Sequence, residues 1–367
     1  MNVELPKEKL LNAVSIAEKI SSRDVAHPIL NNIFFRAEQN ILTVRATNLD
    51  VGVEFKIPAK VTEGGVVVVS GKTLLATVTN MYRGTTVTLQ LEGGNLLISD
   101  DGSKSLLKVH PPGDFPTIPD MRDKKGIALD AKVFLDGFDS VWYSASTSTI
   151  KPELASVYVY HEGNSLFFVA TDSFRLAEKK MIVRSPFSFG RVLIPFRNIP
   201  EIMRIFEHVP DESVTAYLGE NQLSFAFTDV YLTSRLIDGT FPDYNQIIPK
   251  EASTEIVLLK QDLMQAFKKT AIFLDKFGQV VMHVQPKKKK FSLHSSNADV
   301  GETSESIDAA ITGDGLDISF NQRYVTDCLQ SIHSDSVSLS FTGLSKPMVI
   351  RGVSDNSFLY LVMPMNK

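Results

Sequence analysis

With 367 residues, 43% of them hydrophobic and 22% charged, and a formal net charge of −4, the chain has the composition of a folded globular protein and not of a disordered or fibrous one. No apolar run reaches the ~18 residues a membrane-spanning helix needs, and Met1-Asn-Val-Glu-Leu-Pro-Lys7 lacks the basic start and apolar stretch of a signal peptide. The single cysteine, Cys328, can form no internal disulfide. A cytoplasmic protein without membrane contact is expected, too long for one ordinary core and suited to two or three domains.

From the N-terminus, Pro6 to Ser21 places Leu10, Leu11, Val14, Ala17 and Ile20 three and four apart, the spacing of a helix with one buried face. Short runs of strand character follow at 33–36, 41–46, 51–57 and 66–69, separated by turn-forming residues such as Gly64-Gly65. A second helix is predicted over 72–82, and strands at 86–91, 96–98 and 105–109 complete the first third. The second third repeats the order: helix 132–146, strands near 157–160, 166–170 and 176–183, helix 197–209, then strands 214–218, 223–227 and 231–236. So does the last, with helix 260–276, strands 280–285, 290–295 and 305–311, helix 321–334, and strands 337–341, 347–353 and 358–363.

Local sequence supports the same period. Asn40-Ile-Leu-Thr-Val-Arg-Ala-Thr-Asn48 returns as Asn164-Ser-Leu-Phe-Phe-Val-Ala-Thr-Asp172, and more loosely as Lys290-Phe-Ser-Leu-His-Ser-Ser-Asn297, at spacings of 124 and 125. Val87, Val214 and Val337 open equivalent late strands, and Phe115-Pro116 returns as Phe241-Pro242. The expected fold is α+β, three tandem units of two helices and several mostly antiparallel strands, with boundaries at 1–122, 123–249 and 250–367. The helical windows sum to a small positive charge and the remainder is acidic, a mild bias toward nucleic acid on the helical surface.

Catalytic chemistry is missing. Ser70-Gly71-Lys72-Thr73 ends like a phosphate-binding loop between a strand and a helix, but Val66 stands where that loop needs its first glycine. No cysteine pair or His-x-x-x-His spacing offers a metal site, and no Gly-x-Ser-x-Gly is present; neither cofactor, metal nor enzymatic activity is expected. His294 reads as an ordinary strand residue, Cys328 beside Val325 and Leu329 as a small core residue, and Lys287 to Lys290 as a solvated hairpin tip. The end of the chain, Leu359-Tyr-Leu-Val-Met-Pro-Met365-Asn-Lys, is unusually apolar. It reads as a last strand to Val362, after which Pro364 stops pairing and two methionines suit an adaptable contact surface.

Four segments, Ala170-Thr-Asp-Ser-Phe-Arg-Leu-Ala177, Phe241-Pro-Asp-Tyr244 with 247–249, Asn321-Gln-Arg-Tyr324 and Val362-Met-Pro-Met365, together resemble the signature segments of the bacterial sliding clamp family, the beta subunit of DNA polymerase III. The resemblance covers essentially the whole chain. It implies three tandem clamp domains, two chains joined head to tail, and a closed homodimeric ring with helices lining the hole. It also implies a non-catalytic processivity factor that encircles double-stranded DNA and tethers the replicative polymerase. The clamp loader and other polymerases and repair proteins would use the same peptide pocket.

The resemblance carries that pocket onto Leu154, Thr171, Ser173, Phe174, Arg175 and Leu176, onto Pro242 and Ile247, onto Asn321 and Tyr324, and onto Val362, Met363, Pro364 and Met365. Loose DNA contacts are expected from Arg23 and from the helix cations Lys19, Arg197, Arg204, Lys268, Lys269, Lys276 and Arg323. The head-to-tail contact is carried onto Leu106 and Leu107 of the first domain and Ile272 and Leu274 of the third. Ser173-Phe174 stand where many members have Gly-His, so a greasier pocket rim is expected; Gln246 stands where a basic residue is common, and Asn366-Lys367, where many end in Arg-Leu, lose a terminal apolar residue. A P-loop enzyme or a scaffold that binds only proteins would each explain part of the pattern; neither explains the triplication, the missing reaction centre and the apolar terminus together.

Overall fold

The computed structural model of the chain describes residues 1–21, 27–183, 189–209 and 212–365. Six α-helices are present among them: α1 Lys7–Ile20, α2 Gly71–Thr79, α3 Ala131–Val141, α4 Ile199–His208, α5 Lys260–Thr270 and α6 Gln322–Asp327. Each predicted helix is found; five are entered directly from a strand, and α4 follows Val192–Pro195 through a 3₁₀ turn, Phe196–Asn198. Only one of those six entry strands, Gly65–Ser70, is expected from the sequence; Asn2–Pro6, Ile127–Asp130, Val192–Pro195, Thr254–Leu259 and Leu316–Asn321 are additions. They are four to six residues long, and only Thr254–Leu259 runs into its helix without a proline, aspartate or asparagine at its end. The turn is made by one extended residue, such as Pro6 (ψ 128°), Leu259 (ψ 130°) or Asn321 (ψ 117°). Strands this short hold too few alternations to show a period of their own. The predicted strand 305–311 is two strands, Gly301–Ile307 and Ala309–Gly313.

Several helices stop earlier than their apolar spacing suggests. α5 ends at Thr270 and gives way to a 3₁₀ turn, Ala271–Phe273, and α6 is followed by another, Cys328–Ser331. The apolar spacing persists through these tightened turns, so it cannot mark where the α-geometry ends. The buried face of α1 is Leu10, Ala13, Val14, Ile16, Ala17 and Ile20, with Leu11 only half-buried. Ser70, the first residue of the phosphate-loop look-alike, caps α2: its Oγ accepts from the Thr73 amide and from the Thr73 hydroxyl, at 3.4 and 3.1 Å. Cys328 is fully buried, its Sγ donating to the Val325 carbonyl at 3.2 Å, and burial pushes the thiol pKa up. No helix among the described residues is long and apolar enough to cross a membrane.

The chain divides into two compact units, 1–135 with 197–236, and 136–196 with 237–367. This division cuts the middle repeat because each half of it is paired with a different neighbour. In the first unit a 13-stranded sheet runs through both repeats, joined where Val51–Pro58 pairs antiparallel with Val230–Arg235. In the second unit a nine-stranded sheet is joined in the same way by Arg175–Ile182 and Asp355–Val362, and a separate four-stranded sheet has Gly301–Ile307 at its edge. The cores lie between these sheets and the helices. In the second unit Phe138 and Phe168, both fully buried, meet edge to face at 5.2 Å.

Gly137 in α3 sits against that pair. A Cβ there would lie 2.4 Å from the Phe168 ring. Alanine ordinarily gains about 1 kcal/mol over glycine inside a helix, whereas overpacking a filled core costs about 1–3 kcal/mol. Gly137→Ala should therefore lower stability, against its helix propensity, and urea unfolding of the two proteins measures the sign directly.

Candidate functional site

The segment Thr171–Arg175 links two strands, Ser165–Thr171 and Arg175–Ile182, by a turn whose chemistry is set locally. Asp172 Oδ1 accepts from the amides of Phe174 and Arg175, both at 2.9 Å, and Thr171 Oγ1 donates to the Arg175 carbonyl at 2.7 Å. Closing the turn puts Ser173 at φ +78°, a left-handed conformation that costs an ordinary residue about 1–2 kcal/mol. The first repeat builds the same turn. Asn48 Oδ1 accepts from Asp50 and Val51 at 3.0 and 2.7 Å, Thr47 Oγ1 donates to the Val51 carbonyl at 2.9 Å, and Leu49 is at φ +74°. The Thr-Asx echo read in sequence is thus one hydrogen-bonding device used twice. In the third repeat the Asn297 carboxamide accepts from Asp299 at 3.0 Å, and Gly301 takes the positive φ, at +125°.

Only the middle turn continues into Phe-Arg-Leu. Arg175 is 9% exposed and uses its whole guanidinium: Nε to Asp172 at 3.0 Å, Nη1 to Asp327 at 2.6 Å and Nη2 to the Tyr143 carbonyl at 2.6 Å. Its plane lies 4.6 Å from the Tyr324 ring centroid. Burial alone would lower its pKa, but the Tyr360 and Asp327 contacts outweigh that and raise it. Asp327 ends α6, so this one side chain ties the turn to the third repeat. The Phe174 ring is 60% exposed and stacks on Tyr324 at 6.5 Å. The Phe174 carbonyl accepts from the Met363 amide at 2.8 Å, which brings the chain's end to the turn.

Beside this lies a cavity of about 510 Å³. The turn contributes Thr171 and the run from Ser173 to Leu176; 246–249 contribute a second wall, Thr342 with 345–347 a third, and Leu361 with Met363 the floor. The second wall is held from beneath. Tyr244 donates to Glu178 and accepts from Tyr160, whose hydroxyl is 2.7 Å away. Burial pushes the Tyr160 hydroxyl up to about 12 and raises Glu178 above the usual carboxylate range.

Seven of the expected pocket residues line the cavity: Thr171, Ser173, Phe174, Arg175, Leu176, Ile247 and Met363. The others do not. Val362 is fully buried opposite Arg175 and Met348, Leu154 is buried, and Pro242 lines a neighbouring cavity. Tyr324 supports Phe174 from below, and Asn321 caps α6 through the Tyr324 amide at 3.4 Å. Pro364 and Met365 are half-buried, with the Met365 amide donating to Ser319 at 2.8 Å. Sequence reasoning missed the loop 342–347; Thr342-Gly-Leu-Ser-Lys-Pro347 carries only ordinary hairpin chemistry, and nothing in it announces a pocket wall.

Arg23 lies outside the described residues, as do Asn366 and Lys367. Of the other expected DNA-contacting cations, Arg204 is bonded to Glu201, Lys269 to Glu305 at 2.8 Å, and Arg323 lies 3.8 Å from Asp327. Lys19 is exposed 3.8 Å from Glu18, and Lys276 Nζ sits 5.0 Å over the Phe277 ring. Arg197 and Lys268 are exposed. Of the expected interface residues, Leu106 and Ile272 are exposed large apolar side chains at 59% and 65%, Leu274 is half-buried, and Leu107 points into its own domain at 6%.

Three consecutive family matches cover the chain: the N-terminal domain of the DNA polymerase III beta subunit over residues 1–119, its central domain over 128–243 and its C-terminal domain over 245–366. The chain belongs to the DNA polymerase III beta subunit family. It is 25% identical over 371 residues to the beta sliding clamp of Synechococcus elongatus, covering 100% of this chain and 99% of that one. With the beta sliding clamp of Staphylococcus epidermidis it shares 26% over 375 residues, again at 100% and 99% coverage. Its fold is that of the Bacillus subtilis DNA polymerase sliding clamp, with a TM-score of 0.94 at 24% identity, over 100% of this chain and 99% of that one.

Two outcomes follow from the buried charges. Arg175→Met leaves Asp172 Oδ2 and the Tyr143 carbonyl without their partner and Asp327 with only the longer Arg323 contact, and should cost about 3–5 kcal/mol in denaturant unfolding. For Glu178 the folded-state pKa lies above the unfolded one, so the folded form binds the proton more tightly and stability falls as pH rises from about 4.5. Glu178→Gln, which still accepts from Tyr244, should raise the urea midpoint at pH 7, with the gain over wild type shrinking toward pH 4.

Proposed function

We propose that two copies of this chain close head to tail into a ring that encircles duplex DNA, and that the cavity beside Phe174 takes peptide segments of the replicative polymerase, the clamp loader and other proteins working on the same DNA. The chain then acts as a non-catalytic processivity factor in the cytoplasm, with domains at 1–122, 123–249 and 250–367.

One observation carries the ring. Each junction between repeats is made by the strand after the Thr-Asx turn pairing antiparallel with the last strand of the next repeat, in equivalent register: Val53 faces Leu232 in the first junction and Ala177 faces Tyr360 in the second. Two strands of these same types are left over. Among the described residues Gly301–Ile307 is an edge strand, and 104–108 of Lys104–His110 have no partner on the side away from Asn95–Ser99. Carrying the register of the two junctions onto these edges places Ser105 opposite Thr303 and Leu106 opposite Glu302. The pleat agrees, because Ser105 and Thr303 are both half-buried on the inner side and Leu106 and Glu302 are both exposed. Charge agrees too, with Lys104 and Lys108 on one edge and Glu302 and Glu305 on the other. Such a contact uses two different surfaces of each chain, and closes only if its rotation does.

A ring replaces affinity by topology. Helix cations already tied to neighbouring carboxylates, as Arg204 and Lys269 are, suit weak, sequence-blind contact with phosphates. Lys19, Arg197, Lys268, Lys276, Arg323 and Arg23 complete the proposed contacts. Partner segments would seat two or three apolar anchors in the cavity. Each anchor is worth about 1.5–3 kcal/mol before ordering costs, which gives a grip that partners can exchange.

Loaded onto nicked circular DNA, the protein should remain through gel filtration and run off within minutes once the circle is linearised. Equal loss from both forms would overturn the ring. Phe174→Ala should weaken polymerase binding roughly tenfold, the loss expected for one apolar anchor, while leaving retention on circles intact.

A further inference from the structure

The segment 240–249 serves two cavities. Its second half lines the one described above, and its first half, Thr240 to Asn245, lines another of about 600 Å³. The floor of this second cavity is a ladder of rings. Tyr158 and Tyr160 share one face of the strand Ser156–Glu162 and stack at 5.0 Å; Phe241 stacks on the far side of Tyr158 at 4.8 Å, and Phe167 on the far side of Tyr160 at 4.9 Å. Lys180 Nζ closes the stack, 5.6 Å from the Phe167 centroid. Rings stacked face to face along a strand turn their edges outward, and an aromatic edge carries the positive end of the quadrupole. The rib between the cavities is rigid: Tyr244 is bonded beneath it to Glu178 and Tyr160, and Asp243 accepts from Gln246 Nε2 at 2.8 Å and from the Asn245 amide at 3.3 Å.

Two of this cavity's donors lack a partner among the described residues. Arg191 is exposed and lines it together with Tyr158; among the described residues neither the Arg191 guanidinium nor the Tyr158 hydroxyl has a hydrogen bond or ion pair. Of the two lining acids, Asp243 is engaged by the rib and Glu162 lies at the end of its strand, before the turn at Gly163. A preformed, aromatic-floored cavity that shares a wall with the first and carries a free guanidinium fits the flank of whatever occupies the first.

We propose that a partner segment seated beside Phe174 continues over the rib into this second cavity, and there presents an acidic side chain to Arg191 with its stem against the edges of Tyr158 and Phe241. The inference rests on the reading of the first cavity as a peptide pocket, and the acidic flank is what it adds. Partners sharing the same apolar anchors would then be ranked by the residues beside them.

The test uses the full chain and synthetic peptides followed by fluorescence anisotropy: a pentapeptide Ala-Leu-Ala-Leu-Phe, and the same peptide extended by three residues carrying aspartate, at either end, with lysine counterparts. One aspartate extension should bind wild type roughly fivefold tighter than the pentapeptide, the upper range for a partly exposed ion pair. Arg191→Glu should abolish that gain, leave the pentapeptide's affinity unchanged and favour the lysine extension instead. If the pentapeptide binds but no extension adds affinity, or if Arg191→Glu leaves the ratio unmoved, the second cavity is not read by partners and the inference falls alone. If the pentapeptide fails to bind wild type at all, the peptide-pocket reading falls with it.

Discussion

The structure depends on one repeated contact: the strand that leaves a Thr-Asx turn finds its second neighbour in the next repeat. Within a repeat that strand has one partner, and its other edge would present open amides and carbonyls. Pairing it with the last strand of the following repeat satisfies those groups and continues the sheet without interruption. It also explains why compactness divides the chain into two units and not three, since the middle repeat gives one strand to each neighbour. A device that joins repeats in this way never finishes within one chain. Among the described residues it leaves a donor edge at Gly301–Ile307 and an acceptor edge at 104–108, and the ring proposed above would leave neither open.

The repeat supplies shape, and its departures supply specificity. The turns at Asn48 and Asp172 share their bonds and their positive-φ residue, yet only the second carries an arginine into the core. Arg175 spends its hydrogen bonds on Asp172, Asp327 and the Tyr143 carbonyl. A buried charge held on three sides fixes geometry more surely than it adds stability. Here it fixes Phe174 over Tyr324 and the chain's end beside the turn, and an exposed aromatic on a rigid base is a surface that loses little entropy when a partner covers it.

Much of this was legible in the sequence. The six helices, the period of about 125 residues and the Thr-Asx echo all follow from apolar spacing and turn chemistry, which are local. Apart from Gly65–Ser70, the strands entering the helices were not legible, because at four to six residues they are too short to show a period of their own before the helical one begins. About half of the cavity's lining was legible. Residues on the turn and at the terminus stand out as departures from the repeat, whereas 342–347 reach the cavity only through pairing of strands distant in sequence. Val362 and Leu107 show the remaining limit: alternation along a strand decides which neighbour faces out, and a one-residue choice of face is settled by packing.

The central claim is that the junction used twice within the chain is used again between chains, in the same register. Cysteines at Ser105 and Thr303 would face each other across such a pair at the 4.5–5.5 Å Cα spacing of antiparallel partners, roughly the distance a disulfide spans, while Cys328 stays buried and unreactive. Mild oxidation of the Ser105→Cys, Thr303→Cys protein should give a covalently closed dimer on a non-reducing gel, and either single variant should give none. A protein that stays monomeric, or one that closes only when the cysteine is moved from 303 to 302 or 304, would contradict the account.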